Sequence, residues 1–203
     1  MASEVESCNV ALVFVGSQKI SSLLDASDEA VACNTLFASE RDSLLAKHAW
    51  RFAILRQGIG EDAMPPNFEF AHSYTLPAAC VRPLSIDPVG YEWVVEGRSI
   101  VTNAPPPVSL RYVSRVTDVA SWSEYYRKAF EALLAWRLCF ALTGKESRAD
   151  ACKEWFKQEM MEARTNNAYE ATPYMESSNP LAEVRERTGM LINGGQKVYW
   201  GFE

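Results

Sequence analysis

The amino-acid sequence predicts an α+β protein: an antiparallel helical bundle, an inserted antiparallel β-region and an extended C-terminal tail. Three observations carry this. Eight of the ten prolines, with Gly58, Gly60, Gly90 and Gly97, fall between residues 58 and 107. Residues 117–170 hold no proline and only Gly144. Apolar side chains recur at three- and four-residue spacing on both sides of the proline-rich stretch, and at every second residue within it. The expected divisions are 1–50 and 117–170 for the bundle, 51–116 for the β-region and 171–203 for the tail.

The first helix is expected from Glu4 to Val15, with Gly16 as its stop. The second is expected from Asp28 to His48, with Ser27 as N-cap and Asp28 and Glu29 where the helix dipole favours acids. Ala30, Cys33, Phe37, Leu44 and His48 form its apolar stripe. Such a rod is about 32 Å long.

Period two follows. Trp50, Phe52 and Ile54 alternate; so do Phe68, Phe70, His72, Tyr74 and Leu76, and then Val108, Leu110 and Tyr112. Tyr91–Val95 and Ser99–Thr102 flank Glu96–Gly97–Arg98, a hairpin signal. Pro65–Pro66 and Pro105–Pro106–Pro107 mark loops or edges, because proline cannot serve a central strand.

Helix is expected again from Ser121, with Trp122, Tyr126, Ala129, Leu133, Trp136 and Phe140 as a core stripe and Thr143–Gly144 as its end. A fourth helix, Glu146 to Tyr169, carries Ala149, Cys152, Phe156, Met160 and Ala163 on one face. The short turn between the two predicts an antiparallel hairpin. Trp50 and Ser121 are then expected to lie close together, with the sheet projecting from the bundle.

Composition excludes several functions. The 203 residues carry a net charge of −6 and a pI near 5.1, which argues against sequence-independent nucleic-acid binding. The charge is uneven: residues 1–50 carry −4, 51–116 are neutral, and 117–170 and 171–203 carry −1 each. No apolar run approaches the roughly 20 residues of a membrane span. The opening MASEVESC lacks the basic region and cleavage site of a signal peptide. Two histidines, His48 and His72, and five cysteines without a CxxC pair supply no zinc set. Cys8, Cys33, Cys80, Cys139 and Cys152 are expected to be free thiols, and no metal or cofactor is expected.

There is no G-x-S-x-G elbow, phosphate-binding glycine loop or H-E-x-x-H. His48, at a helix end beside Trp50, reads as a cap or packing residue rather than a general base, and His72 as a sheet-face residue. Glu61–Asp62 is the most exposed carboxylate pair, the one feature favouring a cell-wall hydrolase. A non-viral soluble binding module with an aromatic tail is a further alternative. Tyr199, Trp200 and Phe202 end the chain, and Tyr169 and Tyr174 flank the end of the fourth helix. Aromatics so placed either dock on their own domain or on another chain.

Longer stretches point to a family. They run ALVFVGSQKISSL, EAVACNTLFASERDSLLAKHAWRFA, YTLPAACVRPLSI, then YEWVVEGRSIVTNAPPPVSLRYVSRVTDVASWSEYYRKAFEALLAWRLCFALTG. The most specific pieces are Leu44-Leu45 with His48 to Ala53, Leu76-Pro77 with Cys80 to Pro83, and Tyr112-Val113 with Val116 to Asp118. In this order the chain resembles the tail tubular protein A family, the head-to-tail adaptors of short-tailed bacteriophages, over about residues 5–170. The tail after residue 171 matches only loosely.

The resemblance implies a structural virion protein and no enzyme. It implies a helical bundle with an inserted β-region, assembled as a ring, dodecameric in the family, between portal and tail nozzle. Expected partners are other copies of the chain, the portal protein and the nozzle protein, with genomic DNA passing through unbound and no membrane. The expected locations are the portal-proximal tail of the virion and, during assembly, the bacterial cytoplasm. Tyr169, Tyr174, Tyr199, Trp200 and Phe202 are the expected portal-docking residues. Trp93, Glu96, Gly97 and Arg98 are expected to face the nozzle. The acidic first helical pair is expected to form part of the channel side.

Overall fold

The computed structural model describes residues 3–170. They form an α+β fold of four helices and two antiparallel three-stranded sheets. Residues 3–169 belong to one compact unit with two apolar cores, one helical and one between the sheets.

Helix α1 spans Glu4–Val15 and α2 spans Asp28–Lys47. The Ser3 hydroxyl accepts from the Glu6 amide at 3.1 Å, and Ser27 accepts from Ala30 at 3.3 Å. These side chains satisfy amides that the first turn leaves without partners. Gly16 takes φ 79° and its amide returns to the carbonyls of Leu12 and Val13. Asn9 of α1 clamps the following loop, its amide and carbonyl groups bonding the backbone of Ile20 at 2.9 and 2.8 Å. The second helix stops one residue earlier than expected: His48 is extended at φ −147°.

Helix α3 spans Glu124–Thr143 and α4 spans Glu146–Tyr169, joined at Gly144 with φ 62°. Ser123 caps α3, accepting from the Tyr126 amide at 3.3 Å. Two details differ from expectation. Residues Val119–Ser121 form a separate 3-10 turn, and α3 begins only at Glu124. Also, Phe140 is 66% exposed, whereas every residue from Ala129 to Ala135 is buried. The continuous burial follows from position: α3 packs against α1, α2 and α4 at once. A helix surrounded on three sides buries more than one stripe.

Strands β1 (Ile54–Ile59), β6 (Val108–Ser114) and β3 (Cys80–Asp87) form one sheet in the order β1-β6-β3. Strands β2 (His72–Thr75), β5 (Ser99–Thr102) and β4 (Trp93–Glu96) form the other, in the order β2-β5-β4. Ile59, Ile86, Val108, Leu110 and Tyr112 of the first sheet share one core with Tyr74 and Ile100 of the second. The alternation of Val108, Leu110 and Tyr112 is thus the alternation of a buried sheet face.

Other period-two readings need correction. Trp50, Phe52 and Ile54 are not one strand: Arg51–Ala53 is a 3-10 turn and Trp50 lies in the helical core. Of the stretch Phe68 to Leu76 only His72–Thr75 is a strand, and Phe68 is 79% exposed. The β4 strand begins at Trp93, not Tyr91, and includes Glu96, so the turn is Gly97–Arg98 alone. Strand β3 was not anticipated, because Pro83 interrupts it. It tolerates proline as an edge strand, with its register shifting between Pro83 and Ser85.

The two chain crossings between bundle and sandwich meet on Tyr126. Trp50, Phe52 and Trp122 each pack edge-on against its ring, with centroids 5.1, 4.9 and 5.1 Å away. The Tyr126 hydroxyl donates to the Arg41 carbonyl at 3.1 Å. Trp50 donates to Leu44 and Trp122 to Val116, both at 3.0 Å. The expected closeness of the two crossings therefore has a physical basis in one shared, hydrogen-bonded aromatic cluster.

Candidate functional site

The residues expected to dock on partners fall in two groups. In the hairpin, Trp93 pairs with Thr102 and Glu96 with Ser99. Gly97 takes φ 59° at the first central position of the turn, as a type II′ hairpin requires. Trp93 is half-buried against the sandwich core. Arg98 is also exposed, but it is pinned to the chain beyond β2: its guanidinium donates to the Pro77 carbonyl at 2.8 Å and the Leu76 carbonyl at 3.4 Å, and its own carbonyl accepts from the Leu76 amide at 2.8 Å. Glu96 and Gly97 remain exposed.

Sequence reasoning missed Val94 and Val95, each 41% exposed on the same strand. β4 lies at the edge of its sheet, so it presents apolar side chains and unpaired backbone together. Edge position depends on strand order, which periodicity does not reveal.

In the second group, Tyr169 ends α4 and is 75% exposed. Tyr174, Tyr199, Trp200 and Phe202 lie outside the described residues. Two residues before Tyr169, the buried Asn167 was also missed. Its Oδ1 accepts from the Arg51 amide at 2.8 Å. Its Nδ2 donates to His48 Nε2 at 2.9 Å and to the Ala49 carbonyl at 3.2 Å. Asn167 thus ties the end of α4 to the first chain crossing.

His48 is accordingly a cap and packing residue, with its ring edge-on to Trp50 at 5.0 Å. Burial, then the positive charges of Arg164 and Arg82, lower its pKa. His72 is a sheet residue paired with Thr102, and its Nδ1 lies 2.6 Å from Glu61 Oε1. Asp62 accepts from the hydroxyls of Ser73 and Thr75, both at 2.7 Å, and from the Thr75 amide at 3.2 Å. These bonds, that of Ser73 first, hold its carboxyl below the usual range. A general acid needs the opposite shift. Glu61 and Asp62 brace the loop before β2 against that strand.

All five cysteines are free and buried. Among the described residues, no group of three or more histidine, cysteine or acidic side chains is placed to hold a metal. No helix among them is long and apolar enough to cross a membrane. The bundle leaves Val13, Phe14, Phe140 and Met161 uncovered. Val13 and Met161 each line a shallow depression, one along α1 with Val5, Asn9 and Val10, the other along α4 with Phe156 and Met160.

No protein-family model matches the sequence, and no curated protein is detectably similar to it.

Proposed function

We propose that this protein is a head-to-tail adaptor: a virion subunit that forms a ring between the portal and the tail nozzle of a short-tailed phage. The observation that carries the reading is uncovered apolar side chains on both parts of the fold. Val13, Phe14, Phe140 and Met161 are exposed on the bundle, and Val94 and Val95 on the two faces of the edge strand β4. A closed ring needs two different side surfaces on each subunit, plus axial surfaces above and below. The helix–sheet–helix order agrees with the architecture that the resemblance implies.

In this reading the tail, with Tyr169, Tyr174, Tyr199, Trp200 and Phe202, docks on the portal. The hairpin with Trp93, Glu96, Gly97 and Arg98 faces the nozzle, through Val94 and Val95 together with Glu96. Many equivalent docking contacts on one portal act together, so each can be weak alone. DNA leaves through the centre of the ring.

Native mass measurement with and without portal tests this. The expected result is a large ring attached to the portal. A persistent monomer indifferent to portal overturns it. Clearing of bacterial wall suspensions by the purified protein, lost on Glu61→Gln and Asp62→Asn, would instead establish the hydrolase.

A further inference from the structure

One face of the β1-β6-β3 sheet packs on the sandwich core. On its other face, Arg56 of β1 stands directly opposite Arg111 of β6. Like charges in directly opposed positions of an antiparallel pair are destabilising. Moreover, Arg111 Nε is buried and has no hydrogen-bond partner among the described residues. An unpaired buried charged donor is costly. Other arginines of the β-region are engaged: Arg82 on the Ala46 carbonyl, Arg98 on Pro77 and Arg115 on Asp42. Among the described residues, no carboxylate forms an ion pair with Arg56 or Arg111, Asp87 on the same face included.

Space for an anion lies beside the pair. Ser85 is opposite Arg111, and Gly58 is opposite Ser109. A side chain added at Gly58 would meet nothing within 4 Å. Two guanidiniums beside the exposed Gly58 and Ser109 and the half-buried Ser85 suit carboxylates, which arginine binds through paired N–H groups.

We propose that Arg56 and Arg111 receive acidic side chains of a second copy of this chain, from the first turns of α1 and α2, and so form one side of the contact around the ring. The inference rests on the ring reading above and names the surfaces that close it. Charge complementarity selects the occupant. The first 50 residues carry −4, and their exposed acids Glu4, Glu6 and Asp28 have no ion pair among the described residues. The two surfaces differ, so the contact is heterologous and propagates head to tail.

The test measures portal-bound assembly by native mass for the full chain, Arg56→Glu/Arg111→Glu, and Glu4→Lys/Glu6→Lys/Asp28→Lys. Each variant alone is expected to lose at least tenfold in assembled fraction, and an equimolar mixture is expected to regain mixed oligomers. Arg56→Glu alone, at an exposed strand position, serves if the double variant does not fold. Wild-type assembly by the arginine variants overturns the inference and leaves the ring reading intact. Loss without recovery in the mixture overturns the acidic occupant. Binding of duplex DNA by wild type that Arg56→Glu/Arg111→Glu abolishes overturns it as well, because the pair then takes phosphate. Failure of the wild-type chain to assemble on portal overturns the ring reading, and this inference with it.

Discussion

Glu131 lies in the middle of α3, almost fully buried, with Ser7 of α1 nearby. Burial pushes its carboxyl up, and Glu6 and Glu159 add to this, while Ser7 and Arg127 work against it. A carboxyl that is raised on folding binds more protons in the native state. Its cost is absent below the unfolded pKa and fully present once pH rises past the folded one. Glu131→Gln is therefore expected to stabilise the protein at pH 7 by about 1 kcal/mol. The gain should vanish below about pH 4.5, where both forms are protonated. Urea midpoints across pH measure it; equal midpoints at pH 7 would show that Glu131 is adequately paired. The opposite sign holds at His48, whose pKa is lowered. There the unfolded state binds more protons, so stability is complete above the ordinary value of 6.5 and is lost as pH falls below it. Protonation would also turn Nε2 from acceptor to donor against the Asn167 amide, at 2.9 Å. His48→Gln should flatten the stability loss between pH 6.5 and 5; an unchanged slope would place the acid sensitivity elsewhere.

At the scale of elements, the helices were legible because their ends are written in single residues. Ser27 caps α2 and Gly16 and Gly144 end α1 and α3, as expected, each with a local physical reason; the caps Ser3 and Ser123 were not foreseen, and α3 begins at Glu124 rather than Ser121. The two glycines allow a graded test. Both take positive φ, which costs an L residue about 1–2 kcal/mol. At Gly144 an added Cβ meets nothing, so Gly144→Ala should cost only that backbone strain. At Gly16 it would collide with Arg148, whose guanidinium donates to the Val15 carbonyl at 2.7 Å and so caps α1 from α4. Gly16→Ala should thus lose more in thermal melts; equal losses would mean that Arg148 relocates freely. What was not legible depends on neighbours distant in sequence. Pro83 hid β3 because only an edge strand tolerates it, and edge position follows from strand order. The stripe on α3 was too narrow because a periodicity marks one face, whereas α3 is enclosed by three helices. Asn167 gave no signal at all, since its partners Arg51, His48 and Ala49 lie more than a hundred residues away.

For the whole molecule, the chain's charge of −6 acquires an uneven geography once ion pairs are assigned. Of the acids in residues 1–50, Glu40 pairs with Arg137, Asp42 with Arg41 and Arg115, and Asp25 caps the amides of Ser21 and Ser22. The unspent negative charge collects at the first turns of α1 and α2, not along the lengths of the helices. This favours a contact with basic groups of another subunit over an acidic channel wall built from the same helices. The conduit reading then rests on the overall acidic balance. Each lysine or arginine contact with phosphate would release counterions and add affinity, and so drag. The assembled ring is expected to leave duplex DNA unbound at about 50 mM and about 200 mM salt alike, read by fluorescence anisotropy. Tight binding at the lower salt, falling steeply at the higher, would mean that basic groups line the passage, and would sink the conduit. The acidic-turn variant separates the two sites for the charge. If Glu4, Glu6 and Asp28 faced the passage, reversing them would leave the ring intact and make it bind DNA. If they meet a neighbour's Arg56 and Arg111, reversal prevents the ring from closing before DNA is added.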